Sequence, residues 1–238
     1  GIPVFNGEKL LKKRMESILN QTYQNFEIII SDNASTDNTS EICKEFLENN
    51  EKIHYFKQEK NFGYVNNFNY LIKEARGKYF TIAAVDDTWE KRFLEKNINV
   101  LENNKEIVGS IGIVKYFGNN ENKNEPSKIT RTLKKIARKQ NVDISEKHVQ
   151  TVSGKFEQKV DKYLRFNQGS FVYGVYRRDA IQKNLILGPL AMWDLAFILN
   201  IIKFGDLHVI NEVLLNKFSG GLSVKGIFEA YKRHEIPF

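Results

Sequence analysis

Two stretches decide the reading of this chain: Ile2-Pro3-Val4-Phe5-Asn6-Gly7-Glu8 and Phe26-Glu27-Ile28-Ile29-Ile30-Ser31-Asp32-Asn33-Ala34-Ser35-Thr36-Asp37. Each is an apolar run that breaks abruptly into polar residues. Between them, Leu11, Met15, Ile18 and Leu19 fall on one helical face. An unbroken apolar run of strand length is what a parallel strand buried on both faces requires. In an open α/β sheet, ligands sit beyond the carboxyl ends of the strands. Both polar loops therefore lie where a ligand would bind, and the second sets Asp32 at a strand tip.

The alternation continues outward from this unit. The Ser35–Thr39 stretch supplies N-cap residue types for a helix carrying Ile42, Phe46 and Leu47. Ile53 to Phe56 reads as a third strand. Asn61-Phe62-Gly63 reads as a turn into a helix through Phe68, Leu71 and Ile72. A fourth strand, Tyr79 to Val85, ends at Asp86-Asp87, and a helix from about Lys91 to Leu101 and a strand from Ile107 to Val114 follow. Beyond Tyr116 the pattern changes. Asn119 to Lys128 is polar and turn-rich and reads as a mobile loop, and Ile129, Leu133 and Ile136 then recur at helical spacing among basic residues. Regularity returns with an expected strand at Phe171–Tyr176, a helix from about Leu190 to Lys203 and a strand from Leu207 to Ile210. The expected organisation is one compact catalytic domain. Residues 1–116 form its ligand-binding half, and 117–238 form a second half with a basic insertion at about 119–168.

With 238 residues, 41% hydrophobic and 27% charged, the chain has the composition of an ordinary water-soluble globular protein. The single cysteine, Cys43, excludes an intramolecular disulfide and fits a reducing compartment; its helical neighbours make it a packing residue. No signal-peptide pattern opens the chain, and Gly1 stands inside a strand pattern without a Met, so upstream residues are expected to be missing. Leu185 to Phe204 is largely apolar but contains Pro189, Asp194 and Asn200, and a central Asp costs about 2.5 to 3.5 kcal/mol on insertion scales. It reads as a buried loop and helix. The expected location is cytoplasmic. The net charge of +7 is concentrated in Lys123, Lys128, Arg131, Lys134, Lys135, Arg138 and Lys139. That stretch suits a peripheral contact with an anionic membrane at its cytoplasmic face, or else a solvated helix. The four histidines show no metal-ligand spacing.

The acids carry the chemistry. Two adjacent carboxylates at a strand tip suit a hard divalent cation, and Mg²⁺ typically binds through one or two carboxylates together with substrate phosphates. Asp194, at the start of an apolar helix, needs a partner or a cleft, because a buried unpaired carboxylate is costly. Taken alone, Asp32 reads equally as a loop acid, Asp86-Asp87 as a turn, and Asp194 as a helix cap.

The ordered set Pro3-Val4-Phe5-Asn6, Ser17-Ile18-Leu19-Asn20-Gln21-Thr22-Tyr23, Asp32 with Ser35-Thr36-Asp37, Asn61-Phe62-Gly63-Tyr64-Val65-Asn66-Asn67, Gly77-Lys78-Tyr79 and Asp86-Asp87-Thr88-Trp89 resembles the first hundred residues of family 2 glycosyltransferases. The resemblance implies an α/β fold of the GT-A type, with a mostly parallel central sheet flanked by helices. It implies a nucleotide-diphospho-sugar donor, UDP-linked, with a hexosyl or N-acetylhexosaminyl group passing to a glycan or lipid-linked acceptor hydroxyl. It implies Mg²⁺ or Mn²⁺ at Asp86 and Asp87, and an inverting displacement with Asp194 as general base. Asp32 would take a hydrogen bond from the imide nitrogen of uracil. Pro3, Phe5, Asn6, Glu8, Asn61, Gly63, Asn67 and Asp86 would complete the nucleotide-sugar site. One departure stands out: Ala84 occupies the place of the first Asp in the family's Asp-x-Asp. The competing readings are a nucleotidyltransferase of similar fold, which would want a Gly-rich loop that Phe5-Asn6-Gly7-Glu8 does not supply, and a basic nucleic-acid-binding protein. The latter explains none of the strand-tip acids, so no nucleic-acid partner is expected.

Overall fold

The computed structural model describes residues 1–48, 50–118, 149–166, 169–186, 188 and 192–218. The basic stretch from 119 to 148, on which the membrane expectation rests, lies outside the described residues.

The first hundred residues fold as their pattern dictates. Strand β1 (Ile2–Val4) leads through helix α1 (Leu11–Leu19) to β2 (Ile28–Asp32), then through α2 (Thr39–Leu47) to β3 (Ile53–Lys57). The three strands form a parallel sheet in the order β1-β2-β3, with Val4 opposite Asp32 and Asp32 opposite Lys57. All five residues of β2 are buried, as a central parallel strand requires. Helix α3 (Tyr64–Glu74) follows, its Val65, Phe68, Leu71 and Ile72 buried at the spacing of one helical face.

The second sheet is mixed. It contains β4 (Tyr79–Thr81), β5 (Thr88–Trp89), β6 (Ile107–Phe117), β7 (Val175–Arg177) and β8 (Asp206–Phe218) in the order β4-β7-β6-β8-β5. Only the β6–β8 pair is parallel there; β4, β5 and β6 each meet an antiparallel neighbour. Parallel pairing is thus concentrated where the strand–helix alternation is clearest. Two bonds stitch the sheets together: Gly1 N donates to Thr81 O at 2.9 Å, and Ala83 N to Gly1 O at 2.8 Å. Helix α4 (Phe93–Asn103) precedes β6. Helices α5 (Phe156–Phe166), α6 (Arg178–Gln182) and α7 (Trp193–Ile201) belong to the second half.

Several elements differ from the pattern-based reading. The fourth strand stops at Thr81, and Ile82 to Val85 run on as irregular chain to the acidic turn. The apolar run at Phe171–Tyr176 is split between a 3₁₀ turn, Gly169–Tyr173, and the short β7. Phe171 O accepts both Gly174 N, at 2.8 Å, and the Tyr176 hydroxyl, which closes the turn. Strand β8 runs well past Ile210, because Asn211 and Glu212 are accommodated where the register jumps from Gly112–Ile210 to Ile113–Val213. The apolar stretch before Phe204 yields only the nine-residue α7, and no helix among the described residues is long and apolar enough to cross a membrane.

Candidate active site

The β1 and β2 loops are laced together at the carboxyl edge of the parallel sheet. Asn6, in the left-handed region at φ 52°, donates its N–H to Ser35 Oγ at 2.9 Å and accepts Thr36 N on Oδ1 at 2.9 Å. Gly7 N donates to Thr39 Oγ1 at 2.9 Å, and Glu8 N to Asp37 Oδ2 at 3.1 Å. Glu8 in turn accepts Asn38 N at 3.2 Å, so Glu8 and Asp37 place carboxylates at the amino end of α2, where they suit the helix dipole. Asp37 stays below its ordinary carboxylate range: hydrogen bonds from Thr39, Glu8 and its own loop outweigh the opposing burial term. Of this loop, Phe5 (42% exposed) and Asn6 face solvent, while Pro3 is enclosed in β1.

Asp32 is at the strand tip, as expected, but its side chain is turned inward and has no exposed surface. Oδ1 accepts Ser35 N at 2.8 Å; Oδ2 accepts Tyr55 OH at 2.8 Å and Ser40 Oγ at 3.2 Å. Three of its acceptor positions are taken by β3, α2 and its own loop, so in this arrangement Asp32 fixes the loop. The next residue, Asn33, points the other way, taking Phe62 N on Oδ1 at 2.9 Å and giving Nδ2 to Asn61 Oδ1 at 2.7 Å. Asn61 also accepts Gly63 N at 2.9 Å, with Gly63 at φ 79° ahead of α3. Asn67 is bonded on both sides to Ser31, its Nδ2 reaching Ser31 O at 3.0 Å. Asn61, Gly63 and Asn67 thus build the loop and dock α3, and Asn67 lines a cavity of about 330 Å³ together with Asn33 and Phe62.

The acidic turn divides in two. Asp86 is half-exposed, whereas Asp87 is only 2% exposed. Asp87 Oδ1 accepts Phe218 N at 2.9 Å, and Oδ2 is enclosed without a hydrogen-bond partner. Burial, and then the charge of Asp86, pushes the Asp87 carboxyl up to about 6, against the pull of Phe218 N–H, Lys217 and Arg14. In this arrangement Asp87 is turned inward, while Asp86 keeps the more exposed position. Among the described residues no three His, Cys, Asp or Glu side chains gather at ligand distance. Asp86 alone has the character of an outward oxygen ligand, which suffices for a cation completed by substrate phosphates.

Asp194 lies in the first turn of α7, half-buried, its Oδ1 taking Leu195 N at 2.9 Å. Gly169 leaves room for it: a Cβ there would come to 3.3 Å from Asp194 Oδ2. Trp193, beside it, packs on Tyr64 and Phe68 with ring centroids 4.9 Å apart in each case. Burial first, then the charges of Asp86, Asp87 and Asp194, hold the Tyr64 hydroxyl above its ordinary value. At Tyr173 burial leads, followed by Tyr64 and the same three acids. Asp194 and the acidic turn, far apart in sequence, therefore act on the same two hydroxyls. Lys217 adds a cation, its Nζ 4.5 Å from the centroid of the Tyr173 ring.

Sequence reasoning missed Asn33, Tyr64, Tyr173, Lys217 and Arg14. Arg14 alone carried a signal, a charge at helical spacing with Leu11 and Ile18, and it is fully buried. Burial holds its guanidinium down to about 9, opposed by Asp87 and Asp86.

Comparison with known proteins supports the same assignment. The chain is 39% identical over 94 residues to glycosyltransferase GlyG of Streptococcus pneumoniae, covering 40% of this chain and 31% of GlyG. It is 40% identical over 101 residues to a glycosyltransferase of Methanocaldococcus jannaschii, covering 42% of this chain and 35% of that one. It thus spans about a third of the length of these relatives. S. aureus TarS 1–349 has the same fold, with a TM-score of 0.68 at 16% identity over 98% of this chain and 62% of that one. In its complex with UDP-GlcNAc the TM-score is 0.66 at 18% identity, over 92% and 57%. A mannosyltransferase from Pyrobaculum calidifontis, solved with GDP-Man and Mn²⁺, superposes with a TM-score of 0.60 at 15% identity, over 91% and 55%. The model of glycosyl transferase family 2 matches residues 1–183, and the chain belongs to that family.

Proposed function

We propose that this protein transfers a sugar from a nucleotide-diphospho-sugar, UDP-linked, to an acceptor hydroxyl, with inversion at the anomeric carbon. The observation that carries this reading is the packing of Trp193, next to Asp194, on Tyr64 and Phe68, which brings Asp194 to the amino end of α3 beside the loop that Asn33 holds. In this reading the acidic turn serves the donor diphosphate and Asp194 the acceptor.

In this reading the acceptor hydroxyl gives its proton to Asp194 Oδ2 while its oxygen attacks the anomeric carbon. The bond from that carbon to the diphosphate oxygen breaks, and the nucleoside diphosphate leaves. Asp194 stands in the first turn of α7, where an acid suits the helix dipole. Phe5 and Asn6, exposed at the rim of the loop pair, would flank the nucleoside, and the Asp32 network holds that loop. Lys217, over the Tyr173 ring, would meet the leaving diphosphate. Asp86 would hold Mg²⁺ or Mn²⁺, which supplies neutralising charge to the leaving group. The uridine preference draws on the UDP-GlcNAc complex of TarS; the GDP-Man complex shows that the fold also serves guanosine.

The test is a panel of UDP- and GDP-sugars with and without Mn²⁺. A donor raises the melting temperature by mass action. Nucleoside diphosphate release that depends on an added sugar acceptor is the expected result. A chain that neither binds nor discharges any donor contradicts the proposal.

A further inference from the structure

Arg14 is the one arginine among the described residues with no exposed surface, and it heads the fully buried side chains by volume. It stands mid-way along α1 on the face that also buries Leu11, Met15 and Ile18. Its guanidinium lies over the Trp89 ring, 4.1 Å from the centroid, and Trp89 stacks on Phe93 at 4.4 Å and 15°. Nη1 donates to Asp87 O at 3.3 Å and Ser17 Oγ at 3.4 Å. Nε and Nη2 have no partner. Asp87 Oδ2 likewise has none, and Arg14 and Asp87 line one small cavity of about 110 Å³.

A buried guanidinium with idle donors and a buried carboxylate with an idle oxygen are each costly alone. Placed side by side, each lowers the cost of the other. We infer that Arg14 is the countercharge of Asp87 and, through it, a positioning residue for the acidic turn. With the Asp87 carboxylate held inward by Phe218 N–H and its backbone carbonyl by Arg14 Nη1, its neighbour Asp86 is the more exposed acid. The arginine's role follows from this contact with the turn and not from α1, where an apolar residue would satisfy the packing. The inference concerns the ligand-free chain and stands independently of which donor is used.

A double-mutant cycle tests it, with no ligand present. The variants are Arg14→Met, which keeps the bulk and removes the charge, Asp87→Asn, the double variant, and Arg14→Lys. Melting temperature is read together with hydrogen exchange of a peptide spanning residues 84–89. Arg14→Met is expected to lower the melting temperature and speed exchange in that peptide. In the Asp87→Asn background both effects should be clearly smaller, because no carboxylate remains to be compensated and only the bond to Asp87 O and the Trp89 contact are lost. Arg14→Lys should retain most of the protection. If Arg14→Met alone fails to fold, recovery of a cooperative transition in the double variant supports the inference. The same loss in both backgrounds, no folding in either, or no change in exchange overturns it and makes Arg14 a space-filling residue.

Discussion

Replacing Asp32 by Ala should unfold the protein more readily than it weakens donor binding. The carboxylate has no exposed surface and accepts from Ser35 N, Ser40 Oγ and Tyr55 OH. A typical intramolecular hydrogen bond contributes about 1 kcal/mol net, and donors left buried and unpaired cost about 1–3 kcal/mol each. Tyr55 and Ser40 keep each other at 2.9 Å, so one of their two hydroxyl protons still finds an acceptor; the full penalty falls on the Ser35 amide and part of it on this pair. The sum is about 3 kcal/mol. For a domain of this size each kcal/mol shifts the melting temperature by roughly 2–4 °C, so a fall of about 6–12 °C is expected. Differential scanning calorimetry of Asp32→Ala and the unsubstituted chain gives the comparison, and calorimetric titration with UDP measures the binding side. A melting temperature unchanged within 2 °C together with weakened nucleotide binding would refute the reasoning and restore Asp32 as a base-reading residue.

Asp86→Asn should change stability by no more than about 0.5 kcal/mol, as for most surface substitutions, while removing the Mn²⁺ dependence of donor binding; an unaltered metal titration argues against Asp86 as the ligand. Asp194→Asn should bind nucleotide normally and turn over about 10² to 10⁴ times more slowly, the usual contribution of a general base; single-turnover kinetics separates the two effects. The raised Asp87 carboxyl gives a pH dependence of definite sign. The folded chain holds this proton more tightly than the unfolded one, from about 6 against an ordinary 3.8. Asp87 therefore detracts from stability as pH rises through that window, by about 1.36 kcal/mol per unit of difference at most, and no further above it. Melting curves should show Asp87→Asn gaining on the unsubstituted chain between about pH 4 and pH 6; parallel curves would show that Asp87 does not titrate there.

The parallel unit was legible because its residues are buried on both faces. Ile28 to Ile30 have no polar alternative, and Leu11, Met15 and Ile18 fix one helical face. The strand tips followed, and with them the region of the site. The direction of individual side chains was not legible. Successive residues of a strand point to opposite faces, so Asp32 and Asn33 exchange roles on a single step of register. In the acidic turn, outside any strand, the chain likewise leaves Asp86 partly exposed and buries Asp87 against Phe218 N. The second half was harder, because its strands pair antiparallel and out of chain order. The apolar Phe171–Tyr176 segment reads as a strand by composition, yet Gly174 lets it close as a turn, its Cα lying where a Cβ would meet Ser110 O at 2.9 Å. Tyr64, Tyr173 and Lys217 join the site only through that topology, and no local spacing announces them.

The central claim is sugar transfer by direct displacement with Asp194 as base. The most direct measurement is proton NMR of the product formed from the donor selected by the nucleotide-sugar panel, followed from the first turnover. The account predicts a glycosidic bond with anomeric configuration opposite to that of the donor, formed by the unsubstituted chain and nearly absent with Asp194→Asn at equal nucleotide occupancy. A product that retains the donor configuration, or equal product from Asp194→Asn, would contradict it.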